Sequence, residues 1–188
     1  HTTCVQAMLD AKAHTDIRDY VGNTALVLAV NHNHTTCVQM LLAANADTST
    51  ADHVGRTALI AAALNGRIEC VQMLLAAKAD MSPTDNAGNT ALITAVGLGH
   101  TACVELLLAA RADTSTAEHR GNTALILAAA YGNTDCLEML LAAKADIRPA
   151  NHFGDTALTV AAGNGQTACV ERLLAAREIG RASCRERV

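Results

Sequence analysis

Tryptophan is absent, and two Tyr and one Phe are the only aromatics in 188 residues. With 51% of the chain apolar, a core has to be built from Ala, Leu, Val and Ile. That choice suits close helix–helix packing better than a sandwich or barrel. No stretch of about 18 apolar residues occurs, so nothing is expected to span a membrane. The opening "HTTCVQAMLD" has neither an initiator Met nor a basic region ahead of an apolar stretch, so no signal peptide is visible. A basic excess is missing too. The net charge is −4, and −6 once the three Arg and one Glu of residues 179–188 are set aside, which argues against general nucleic-acid binding. Catalytic signatures are also missing: there is no H-E-x-x-H, no G-x-S-x-G and no G-x-x-x-x-G-K. No catalysis and no cofactor are expected.

What the chain has is a period of 33 residues. "GNTAL" begins at Gly22, "GRTAL" at Gly55, "GNTAL" at Gly88 and Gly121, and "GDTAL" at Gly154. Cys4, Cys37, Cys70, Cys103, Cys136 and Cys169 keep the same step. So do the leucine pairs from Leu41–Leu42 to Leu173–Leu174. Three columns in phase over five copies define a repeat.

Residues 52–84 show what one unit is. "DHVG" has Asp and Gly at the first and fourth places of a type I turn. Thr57 then stands where a helix N-cap belongs. "ALIAAALN" is apolar nearly all round, as in a short helix buried between neighbours, and Gly66 breaks it. In "IECVQMLLAA", Cys70, Val71, Leu74 and Leu75 form one apolar stripe. The unit is therefore turn, helix, helix, extended loop. One unit cannot cover both faces of its first helix, so units must stack.

This arrangement resembles the ankyrin repeat. The family's T-P-L-H-x-A signature appears as "TALVLA" at Thr24, "TALIAA" at Thr57, "TALITA" at Thr90, "TALILA" at Thr123 and "TALTVA" at Thr156. Its second-helix pattern appears as "GHTACVELLLAARAD" from Gly99. The resemblance implies an all-α ankyrin-repeat solenoid with short β-turn finger loops. Its units are a truncated first repeat over 1–18 (second helix only), repeats over 19–51, 52–84, 85–117 and 118–150, and a terminal truncated repeat over 151–178. Ala replaces the signature Pro. Val27, Ile60, Ile93, Ile126 and Thr159 replace the signature His, exchanging a polar network for apolar packing. Asn45, Lys78, Arg111 and Lys144 replace the Gly that usually ends the second helix. If they keep its left-handed backbone, each costs about 1 kcal/mol relative to Gly.

Residues 1–18 start halfway through a unit and are expected to fray without a polar capping unit. At the other end the pattern stops matching at Glu178. The codons of "IGRASCRERV" can spell a short-read sequencing adaptor, so residues 179–188 are read as a non-native tail, against the alternative of a native Arg-rich end.

Six cysteines in one column read as small buried core residues. Stacked helices lie about 8–10 Å apart, too far for a disulfide, whose Cα atoms sit about 4.4–6.8 Å apart. The spacing is not that of a zinc site either. Free thiols favour an intracellular compartment, cytoplasmic or nuclear. Lys12, Lys78, Arg111, Lys144 and Arg177 form a basic column, read as cations complementing second-helix C-termini, with Asp47, Asp80, Asp113 and Asp146 cancelling their field; the other reading is a stripe for an acidic partner.

The variable columns point to function. In the turns stand Tyr20, His53, Asn86, His119 and His152, then Arg120 and Phe153, then Arg56 and Asp155; at first-helix ends stand His32, Leu98 and Tyr131. All three aromatics fall in these columns. In the ankyrin family, turn tips and first helices line a concave face that grips proteins, and exposed aromatics and arginines are common in hot spots. Free drift at exposed positions is the competing account.

The expected function is a protein–protein interaction scaffold, monomeric, with a partner of unknown identity. The alternative is a regulatory repeat segment of a larger enzyme or channel. A linear stack also has an energetic signature: Leu107→Ala, in the middle, should cost about 2–5 kcal/mol, and Leu9→Ala, near the end, less. Equal losses in denaturant titrations would contradict a stack.

Overall fold

Thr24, Thr57, Thr90, Thr123 and Thr156 each open a short helix in the same way. Each has extended backbone, and its hydroxyl accepts the N–H three residues on at 3.2–3.4 Å. The computed structural model describes residues 14–185 together with 3, 6 and 7, with side chains as far as Arg177. Cys4, Leu9, Lys12, most of the truncated first repeat and the last three tail residues lie outside the described residues, as does the Cys184 side chain.

Ten helices are present among the described residues. The first helices of the units are α1 (Ala25–Asn31), α3 (Ala58–Leu64), α5 (Ala91–Gly97), α7 (Ala124–Tyr131) and α9 (Ala157–Gly163). The second helices are α2 (Thr35–Ala43), α4 (Ile68–Ala76), α6 (Thr101–Ala109), α8 (Thr134–Ala142) and α10 (Thr167–Arg185). Each first helix packs on its own second helix and on the next first helix, and the second helices pack on one another in the same order. Two isolated antiparallel bridges, Ala117–Thr123 and Ala150–Thr156, are the extended pairings among the described residues.

The core sits between the two rows. Ala58 to Ala63 of α3 are all buried, whereas α4 buries only the stripe Cys70, Val71 and Leu74. Alanine on all sides lets α3 be covered by both neighbouring units. Cys37, Cys70, Cys103, Cys136 and Cys169 are buried and free, and burial raises the thiol pKa of Cys70, Cys103 and Cys136.

The second helices end in Schellman closures. Lys78 N–H bonds Leu75 O, Ala79 N–H bonds Leu74 O, and Lys78 has φ +60°. Asn45, Arg111 and Lys144 repeat this at φ +60° to +64°, so the residues replacing Gly do take the left-handed conformation. The sixth unit differs: α10 runs through Arg177 to Arg185. In three of the earlier units the Ala after the left-handed residue (Ala46, Ala79, Ala145) is buried against the core, and the sixth unit has Glu178 at that position in the sequence.

The turns lock the units together. In the second turn, Gly55 N–H bonds Asp52 O, and Asp52 N–H bonds Arg56 O, a type I turn closed by a glycine bulge. The third residue of each turn then accepts from the next turn: His53 N–H bonds Val21 O, Asn86 bonds Val54, His119 bonds Ala87 and His152 bonds Arg120, at 2.8–3.1 Å.

Glycine is required at the fourth place for two separable reasons. Gly88 and Gly154 have φ +87° and +83°. A Cβ on Gly88 would also stand 2.9 Å from the His119 backbone N, whereas a Cβ on Gly154 would meet nothing within 4 Å. Gly154→Ala should therefore cost about 1–2 kcal/mol for its backbone alone, and Gly88→Ala clearly more. Urea midpoints of the two variants check this, and equal shifts would remove the inter-turn contact from the account.

Candidate functional site

The first and fifth turn residues do more than vary. Asp52 Oδ1 accepts the Val54 and Arg56 N–H groups at 2.8 and 2.9 Å, and Arg56 Nε lies 3.1 Å from Asp52 Oδ2. Arg56 is half-buried and paired within its own turn, so it belongs largely to the frame. Asp85 with Asn89, and Glu118 with Asn122, repeat the arrangement with an amide in place of the guanidinium. In the fifth turn the acid and amide are exchanged: Asn151 Oδ1 accepts the N–H of Phe153 and of Asp155.

The second turn residues form a row on the rim. Asn86 donates its amide to His53 O, tying two turns together. His53, His119 and His152 are exposed and lie over Gly22, Gly88 and Gly121 of the preceding turns. Tyr20 and Phe153 are exposed at the first and fifth turns. His32, at the end of α1, stacks on His34 with ring centroids 5.8 Å apart.

A groove of about 410 Å³ opens between the third and fourth turns and the first helices α3, α5 and α7. It brings together three of the residues singled out in the sequence, Leu98, Arg120 and Tyr131. Leu98 and Tyr131 are 52% and 62% exposed, so their apolar surface faces solvent there. The Tyr131 ring passes 4.0 Å from where a Cβ on Gly97 would be, an ordinary contact distance. Tyr20, His32, Asn86, His119, His152, Phe153, Asp155, His53 and Arg56 lie outside the groove.

The groove also contains Asp85, Thr94, Glu118 and Leu127, which are not among the expected site residues, and Leu64 of the variable pair Leu64–Asn65 at the end of its first helix. A signal for two of them was available. Leu28, Ala61, Thr94, Leu127 and Val160 occupy the fifth and most variable place of the six-residue motif. Leu64 also closes a helix that is apolar nearly all round.

The loops that lead from the second helices into the turns have their own carboxylate frame. The Ser115 N–H, the Ser115 hydroxyl and the Thr116 hydroxyl all donate to Asp113, at 2.7–2.9 Å. Asp47, Asp80 and Asp146 do the same with their own neighbours. These carboxylates organise loops as well as offset the basic column. Among the described residues, no three His, Cys, Asp or Glu side chains converge on a metal-sized site, and no helix is long and apolar enough to cross a membrane.

A family model described as ankyrin repeats (3 copies) matches residues 1–85, 45–117, 77–151 and 110–183. No curated protein matches the chain.

The loop carboxylates carry a pH prediction. The Ser115 backbone N–H, then the two hydroxyls, stabilise the Asp113 carboxylate and lower its pKa. Its stabilisation is present above the ordinary aspartate range and is lost as pH falls through the lower folded value. Asp113→Ala should lower the urea midpoint at neutral pH and leave it little changed in strong acid. A deficit independent of pH would contradict this role.

Proposed function

The chain belongs to the ankyrin-repeat family, and we propose that it is a protein–protein interaction module that holds a partner protein in the groove between its turn tips and first helices. Ankyrin repeats are in general interaction modules, typically without catalysis, and the proposal includes no reaction of its own. One observation carries it. Tyr20, Val21, Leu28, Val54, Leu98, Tyr131 and Phe153 are large, exposed and apolar, and all lie on the turn tips and first helices. Ile17, Ile68 and Leu174 are exposed elsewhere and are scattered.

Free drift at solvated positions supplies no reason for apolar side chains to gather on one face, whereas a face covered by a partner does. Aromatic and arginine side chains there, Tyr131 and Arg120, are of the types that dominate interface energies. The free buried thiols fit a partner met inside the cell.

The experiment is to replace Leu98, Arg120 and Tyr131 together by Ala and measure affinity for a partner recovered by cross-linking in the source cells. A loss of about tenfold or more is expected, with Ile68→Ser on the second-helix row as the control. Unchanged affinity in the triple variant, with a loss in the control, would move the binding face to the other row.

A further inference from the structure

The five turns share one frame but not one charge. In the second turn, Arg56 sits against an almost fully covered Asp52 carboxylate, so that turn is neutral. In the third and fourth turns, Asn89 and Asn122 stand in the place of Arg56. The donors that meet Asp85 are the Ala87 and Asn89 N–H groups and the Asn89 amide, and those that meet Glu118 are the Arg120 and Asn122 N–H groups and the Asn122 amide. All are neutral, so no cation is paired with either carboxylate within its turn. Both border the groove walled by Leu98 and Tyr131. Arg120 is the one cation lining it and forms no ion pair among the described residues.

We infer that the occupant of this groove is a partner segment in which an aliphatic or aromatic side chain stands next to Arg or Lys. The inference rests on the reading of the groove as the partner-binding face. The apolar side chain covers Leu98 and Tyr131, and the cations reach Asp85 and Glu118. The second turn shows that this frame accepts a guanidinium on the carboxylate oxygen left over from the backbone bonds. In the third turn Asp85 Oδ2 meets the neutral Asn89 amide, and in the fourth both Glu118 oxygens take neutral N–H groups, so neither carboxylate has a cation of its own turn paired with it, and the partner supplies one. A neutral or acidic segment would cover two carboxylates with Arg120 as the one cation beside them, which costs affinity and is the ordinary means by which interfaces reject wrong partners. The fifth turn extends the same sign through Asp155, while the second turn, on the other side, is neutral.

The charges can be removed without disturbing the frame, because the fifth turn already does so: Asn151 caps its turn as an amide. The test is to pan a phage-displayed random dodecapeptide library against the whole chain, then measure the enriched peptides against D85N/E118Q, N89R and L98A/Y131A. Enriched peptides should pair Arg or Lys with Leu, Ile or an aromatic. Their affinity should fall about three- to tenfold in D85N/E118Q, and the loss should shrink as salt is raised. N89R, which copies the Asp52–Arg56 pair, should weaken them in the same direction.

Peptides that lose binding in L98A/Y131A but carry no Arg or Lys, and are indifferent to D85N/E118Q, would overturn the charge inference and leave the groove standing. Peptides indifferent to L98A/Y131A as well would overturn the groove itself. No enrichment above a panning without protein would also count against the inference, since a short cationic apolar segment would then not suffice.

Discussion

The stack depends on one hydrogen bond made again at each step, from the N–H of the second residue of a turn to the carbonyl of the third residue of the turn before it. That bond brings two backbones close together, and the residue between them must both adopt positive φ and lack a side chain. Only glycine satisfies both conditions. The bond also sets the register. Because successive turns are joined at equivalent atoms, every other element of the unit recurs at a fixed offset. The threonine caps, the alanine-rich helices and the Schellman closures all inherit the period from it.

The frame was legible in the sequence because its positions are fixed by backbone geometry, which few residue types satisfy. Gly55 announces positive φ, Thr57 announces an N-cap, and Leu74 and Leu75 announce an apolar stripe. The left-handed residues were legible only conditionally. Lys78 and Arg111 are poor choices for positive φ, and they accept it because the Ala that follows must turn back onto the core. The end of α10 shows the converse: without that Ala, the helix continues.

The candidate site was less legible, for a different physical reason. A variable position says that the frame tolerates change there, and nothing about which neighbours it faces. Leu98 and Tyr131 lie one repeat apart in the same column and meet in one groove, whereas Phe153 and Tyr20 do not reach it. Arg56 reads as a surface cation in the sequence, and its charge is engaged by Asp52 four residues earlier. Leu64 ends a helix that is apolar nearly all round in the sequence, and its end of that helix opens into the groove. Frame and surface are thus written largely in different columns, with Asn86 and Arg56 belonging to both.

The cysteine column has a use of another kind. Cys37, Cys70, Cys103, Cys136 and Cys169 occupy the same depth in five successive units, all unpaired and all shielded from solvent. An alkylating reagent reaches such a thiol only while its own unit is open. Five equivalent thiols are therefore five built-in clocks, and their rates of modification measure, unit by unit, how the work of holding the stack closed is shared along its length.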